Sequence, residues 1–264
     1  MHCAFVYPGQ GARGVTMADA VLEAFPEMAT KVFDQAQHAI GIDLRTVNDD
    51  GIPPELPWGG KHACAVNPVA QDMHAVVYAV SVITHLGLLD SGWHPNVVAG
   101  HQLGTYAALA VSGALSFTDG LLLVREHAGL LPLSYSWGDS PEPPPLPEVP
   151  EQDRAGLLRD LEAVEFRHPY FAVMGSGTAR PIRTAAQARH DVEALIKGQD
   201  LWRDTMSLLV GRGRDVVVEV GPGRRLTSWF AQAHPQVVTR STADVRRIRR
   251  LIDRHENGTG IIRE

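Results

Sequence analysis

Short runs of β-branched and aromatic residues alternate along this chain with longer segments whose apolar positions recur at helical spacing. Strands are expected over residues 3–7 (CAFVY), 96–99, 171–174 and 215–220. Helices are expected over 15–40, 68–88, 103–112, 117–131, 151–164, 201–210 and 242–255. Pro26 interrupts the first of these, because a proline ring removes a backbone donor and clashes with the preceding turn. The stretch 183–191 reads as a solvated helix. Strand and helix in alternation predict an α/β fold around a mainly parallel sheet.

One segment interrupts this rhythm. From 141 to 150, "PEPPPLPEVP", six of ten residues are proline, so the segment can form neither ladder nor helix and reads as an extended surface connector. The 264 residues suit one large domain over 1–264, with 44% hydrophobic and 20% charged residues. A net charge of −6 gives no general reason to expect a nucleic-acid partner. Cys3 and Cys64 have neither disulfide-framework nor zinc spacing, and His2, His62, His168 and His190 form no metal pair, so no metal and no cofactor are expected. With no charged leader, and with the most apolar stretch (75–89) too short to span a bilayer, a cytoplasmic protein without a membrane partner is expected.

The candidate chemistry lies at 97–115, "VVAGHQLGTYAALAVSGAL". A β-branched run, a Gly-x-x-x-Gly turn and an Ala-rich helix outline a nucleophile elbow, which presents a side chain above a sheet. The residue presented is Gln102. Two further glycine-rich corners follow predicted strands: Gly9, Gln10 and Gly11 in "FVYPGQGARG", and Gly221, Pro222 and Gly223 in "VVVEVGPGRRL". Ligands of open α/β sheets collect outside the carboxyl ends of the strands, so all three turns are expected to converge on one crevice.

Four segments in order, "FVYPGQGA" (5–12), "NPVAQDMHAVVYAV" (67–80), "AGHQLGTYAALAVSGALSFTDGLLLV" (99–124) and "VVVEVGPGRRLTSWF" (216–230), resemble the malonyl-CoA:acyl carrier protein acyltransferase family. That family includes the acyltransferase domains of polyketide synthases. The resemblance implies an α/β-hydrolase-like acyltransferase large subdomain. It also implies a Ser at the elbow that is acylated by a CoA thioester, a His that activates it, and backbone N–H groups that hold the oxyanion. Carried onto this chain, the oxyanion donors fall on Gln10 and Leu103, and Gly9, Gly11, Asn67, Gly221 and Gly223 line the pocket.

The nucleophile falls on Gln102, whose non-basic amide can hydrogen-bond a carbonyl but cannot form an acyl ester. Aligning the following helix on Gly129 puts Ala128 where the family's malonate-binding Arg stands, with Arg125 and His127 facing other ways. The family's ferredoxin-like small subdomain, and the base that follows it, are expected to be deleted, with a Pro-rich connector at 132–150 in their place. The polar residue that orients the base falls on Leu201, before Trp202. Deletion of the small subdomain is expected to uncover the mouth of the cleft and favour a protein partner there, either a carrier protein or a heteromeric subunit.

The catalytic candidates are therefore Gln102, His101 and Asp72, each with a plainer role beside it. Gln102 fills space left by a lost substrate, and His101 braces the elbow by hydrogen bonds. Asp72 is a half-exposed helix residue that faces away from His74, two positions on. "RRIRRLIDRH" (246–255) packs an apolar stripe with its arginines outward, the alternative being a hold on an acidic carrier or the phosphate of its phosphopantetheine arm. The resulting expectation is a repurposed acyltransferase-like protein of natural-product biosynthesis, polyketide or peptide-type. It would act on an acyl or amino group held on a carrier protein, without an acyl-Ser intermediate. A non-catalytic pseudoenzyme scaffold, a malonyl-carrier decarboxylase and an orthodox transferase are the alternatives.

Overall fold

The computed structural model describes residues 2–9, 17–47, 68–131 and 149–256. The expected connector at 132–150 lies outside these except for its last two residues, of which Pro150 is polyproline-like at φ −53°, ψ 142° and leads into a helix.

At the centre is β1 (Cys3–Tyr7), buried at all five positions. Its residues alternate between two apolar layers: Cys3, Phe5 and Tyr7 face one, Ala4 and Val6 the other. A parallel strand covered on both faces reads as an unbroken apolar run, which is why CAFVY shows no polar alternation. The sheet has six strands in the order β4-β3-β2-β1-β5-β6. The others are β2 (Val97–Gly100), β3 (Val173–Met174), β4 (Pro181–Ile182), β5 (Val216–Glu219) and β6 (Val238–Ser241). Neighbours are parallel except β3 and β4, and Phe5 stands opposite both Val98 and Val218.

One layer is built from α1 (Met17–Ala24), α2 (Pro26–Ile40), α3 (Pro68–Asp90), α4 (Gly104–Val111), α5 (Phe117–Gly129), α6 (Glu151–Ala163) and α7 (Ala185–Ile196). The other is built from α8 (Trp202–Gly211) and α9 (Arg225–Ala233). A last helix, α10 (Val245–Glu256), adds Leu251 to the first layer. Pro26 does divide the first helical segment, and it opens α2 at a position where its missing N–H costs nothing.

Several expectations are corrected. The helix at 183–191 is not solvated all round, since α7 buries Ala188, Asp191, Val192 and Ile196. The apolar region is not too short to span a bilayer: Ala70–Asp90 is 21 residues long and apolar enough, and it is mostly buried in the fold. The strands β4 and β6 and the helix α9 were not anticipated. β4 has two residues, β6 (VTRS) is a partly exposed edge strand with polar residues, and α9 starts inside the glycine corner without a side-chain cap.

Candidate functional site

The elbow forms because two glycines let a helix fold back over its own strand. A Cβ on Gly100 would strike the backbone of Gly104 and Thr105, and one on Gly104 would strike the carbonyls of Tyr7 and Pro8. Between them Gln102 takes φ 50°, a left-handed conformation that costs a non-glycine residue about 1–3 kcal/mol. Gly104 N donates to His101 O at 2.8 Å and Thr105 N to Gln102 O at 2.9 Å, closing the first turn of α4. The Leu103 N–H has no backbone acceptor among the described residues, as first-turn donors of a helix ordinarily lack one.

The turns after β1 and β5 meet at Pro8, beside the elbow. A Cβ on Gly9 would strike His101 O and stand 3.0 Å from Leu103 N and 3.1 Å from Gly104 N, so the turn after β1 lies against the elbow's donors. Gly221, at φ 129°, abuts Pro8 and Ser81, and its N–H donates to Thr242 Oγ1 at 2.8 Å. Gly223 continues the same turn at φ 95°. Gln10, Gly11 and Asn67 lie outside the described residues.

The side chain of Gln102 is spoken for. Its Nε2 donates to Asp200 Oδ2 at 3.0 Å, and the same oxygen lies 3.4 Å from His101 Nε2. Asp200 Oδ1 accepts from Trp202 N at 3.2 Å, which ties the carboxylate to the start of α8. The His101 ring is held edge-on by Trp202 and Trp229, with centroids at 5.2 and 5.3 Å. Sequence reasoning tested Leu201 for a polar partner and passed over Asp200, one residue earlier. The signal was present in "QDLWRD", since an Asp two positions before a helical residue readily accepts its N–H.

The elbow residues themselves are buried in the fold. His101, Gln102 and Leu103 are 1%, 2% and 3% exposed. Gln102 Oε1 is buried without a hydrogen-bond partner among the described residues. Among the described residues, the large hydrophobic side chains that are exposed are Leu122 and Tyr170.

Among the described residues, no bond brings Asp72 to the elbow. It pairs with Arg125 at 2.8 Å, linking α3 to α5. His74, two residues on, turns elsewhere, with Nδ1 2.7 Å from Ala70 O. His127 is 4% exposed and its Nδ1 lies 3.1 Å from Tyr106 Oη. Burial, with some help from nearby His74, pushes its pKa down to about 4, so it is neutral at ordinary pH. Arg125 and His127 thus have different partners, and Ala128 is fully buried.

Glu219, at the end of β5, was also missed. It is fully buried, with Oε2 accepting from Thr227 N at 2.8 Å and Thr227 Oγ1 at 3.0 Å. Burial outweighs these bonds and pushes its pKa up to about 7. No group of metal-binding residues occurs among the described residues.

No protein-family profile matches the chain. Among curated proteins it is 32% identical over 131 residues to the malonyl CoA-acyl carrier protein transacylase of Bacillus subtilis, covering 49% of this chain and 30% of that protein. It is 31% identical over 122 residues to that of Escherichia coli K12, covering 46% and 36%. It is 28% identical over 131 residues to the polyketide biosynthesis malonyl CoA-acyl carrier protein transacylase BaeC of Bacillus velezensis, covering 49% and 40%. The chain therefore matches well under half the length of these relatives. Among solved structures, a malonyl-CoA:ACP transacylase of Synechocystis has a TM-score of 0.77 at 20% identity, over 95% of this chain and 100% of that one. A malonyl-transacylase in complex with its type II polyketide synthase acyl-carrier protein has a TM-score of 0.78 at 20% identity, over 96% and 99%. Over about half its length this chain is similar in sequence to malonyl CoA-acyl carrier protein transacylases, and over nearly all of its length it shares the fold of solved malonyl-CoA:ACP transacylases.

Proposed function

We propose that this protein works beside an acyl carrier protein in natural-product biosynthesis of the polyketide type, without forming an acyl-enzyme at its elbow. The observation that carries this reading is the Gln102–Asp200 bond at 3.0 Å. At the tip where a transacylase of this fold would present a nucleophile stands an amide nitrogen, delocalised and already committed to a carboxylate. The carrier as partner is supported by the neighbour solved with its acyl-carrier protein, and the pathway class by the polyketide-associated relative. Absence of the small subdomain and its base, with a connector at 132–150 in their place, is part of the same proposal, as is a cytoplasmic setting.

The geometry supports the following roles. The Leu103 N–H, beside the Gly9 turn, is placed to hold a carbonyl oxygen or anion, with Gln10 as the second donor implied by the resemblance. Gln102 orients and does not attack. His101 and Asp200 position Gln102, and Asp72 stands apart in its ion pair with Arg125.

The test has two arms. Incubation with malonyl-CoA followed by intact mass analysis is expected to give no covalent adduct, and titration with a holo-acyl carrier protein is expected to give saturable binding. A stable acyl adduct would overturn the mechanism, and absence of carrier binding would overturn the partner. Malonyl-carrier turning into acetyl-carrier in a separate incubation with the protein would assign a decarboxylase.

A further inference from the structure

Where β6 ends against α9 and α10, the fold leaves a cavity of about 230 Å³ whose polar lining is mostly Arg224, Thr227, Arg240, Ser241, Arg247 and Arg250. Arg247 and Arg250 are three apart on α10 and share a face, while Ile248 and Leu251 are buried in the fold. Arg247 is balanced by Asp244 at 2.9 Å, and Arg240 Nη1 donates to Thr239 O at 2.9 Å. Neither Arg224 nor Arg250 has a carboxylate partner among the described residues.

A second observation points the same way. Ser241 is 7% exposed, and its Oγ is buried with no hydrogen-bond partner among the described residues. A buried hydroxyl without a partner costs about 1–3 kcal/mol, so its place in the lining of a cationic cavity calls for an acceptor. A guanidinium offers five donors and no acceptor, so this lining has donors in excess. Glu219, buried behind Thr227, has its pKa pushed up to about 7 by burial, so it opposes this charge less than an ordinary carboxylate would.

Size and charge narrow the ligand. The cavity is smaller than the roughly 300 Å³ at which pockets begin to enclose a drug-sized molecule, so it takes a head group. A carboxylate satisfies one guanidinium fork, whereas a phosphate dianion presents three oxygens and two charges to several. We propose that this cavity is a binding site for a phosphate dianion, either as the free ion or as the terminal group of a phosphomonoester. It stands at the carboxyl end of β6, three strand spacings or about 14 Å from the elbow strand β2 in the same sheet. It does not rest on the reading of the elbow.

The experiment is calorimetric titration of the full chain at low ionic strength with inorganic phosphate, with glycerol 3-phosphate and with acetate. Saturable binding of one equivalent of a phosphate species is expected, at least tenfold tighter than acetate. It is expected to weaken at least tenfold in Arg224→Ala/Arg250→Ala and in Arg250→Glu alone, both at exposed positions and checked for folding by thermal melt. Tighter binding of glycerol 3-phosphate assigns a phosphomonoester head group, and tighter binding of inorganic phosphate assigns the free ion. No saturable binding of either, or binding unchanged in these variants, overturns the proposal. Phosphate binding that persists when the carrier titration fails leaves this inference standing, and the reverse outcome leaves the carrier reading standing.

Discussion

Gln102 reaches Asp200, 98 positions later, and donates its amide to the carboxylate at 3.0 Å while its own backbone sits at φ 50°. The elbow is thereby pinned at its tip by α8. Removing either partner strands the other. Asp200→Ala leaves a buried amide N–H without an acceptor and is expected to destabilise the fold by about 1–3 kcal/mol. Gln102→Gly loses the same bond but releases the left-handed strain, recovering about 1 kcal/mol. Urea unfolding should therefore rank Asp200→Ala as the more damaging change, and the opposite order would remove the case for strain at Gln102.

The glycines of the elbow and of the helices give a paired prediction. Gly104→Ala drives a methyl into the Tyr7 and Pro8 carbonyls, which are backbone and cannot turn aside, so a loss of about 3 kcal/mol or more is expected. Gly156, inside α6, has open space around its missing Cβ. Gly156→Ala is expected to raise stability by about 0.5–1 kcal/mol through helix propensity alone. Thermal melts of the two variants check both signs.

The sequence made the parallel sheet legible because CAFVY, VVAG and VVVE are covered on both faces, and doubly covered strands show as apolar runs. It did not show β4 or β6, because two residues carry no pattern and a half-exposed edge strand need not be apolar. The elbow was legible from its glycines, since backbone clearance restricts those positions to one residue type. Asp200 was not, because its bond to Gln102 spans 98 residues and no local spacing encodes it. Asp72 and Arg125 were each noticed, yet their pairing across α3 and α5 depends on helix packing that periodicity alone does not set.

Acid conditions should expose the buried histidines. Burial pushes the pKa values of His85 and His127 down to about 4, while in the unfolded chain each binds a proton near its ordinary value. The unfolded state then holds more protons between about pH 6.5 and pH 4, so these groups contribute stability that is full above pH 6.5 and is lost as pH falls. His127→Phe removes one titration and also the Tyr106 bond, so it is expected to be less stable at pH 7 but to lose less on going to pH 4.5. Denaturation midpoints of both proteins at the two pH values test this, and equal losses would place a charged or exposed His127 in the fold.

Glu219 has the opposite sign. Its folded pKa is raised to about 7 from the ordinary carboxyl value, so the folded state holds the extra proton between about pH 4.5 and pH 7. Stability from this group is therefore present at low pH and is lost as pH rises through that window. The acid limb set by the histidines rises over much of the same range, so the wild-type profile blends the two and a difference measurement is needed. Glu219→Gln keeps a carbonyl oxygen for Thr227 and puts an N–H₂ where the protonated carboxyl would carry its O–H. The variant and the wild type are expected to match near pH 4 and to separate above it, with the variant ahead by about 3 kcal/mol at pH 8. That gap, read from urea unfolding at several pH values, should close as pH falls. A constant gap, or a variant that is weaker at pH 8, would mean that Glu219 is ionised in the fold at neutral pH and is held by its bonds to α9.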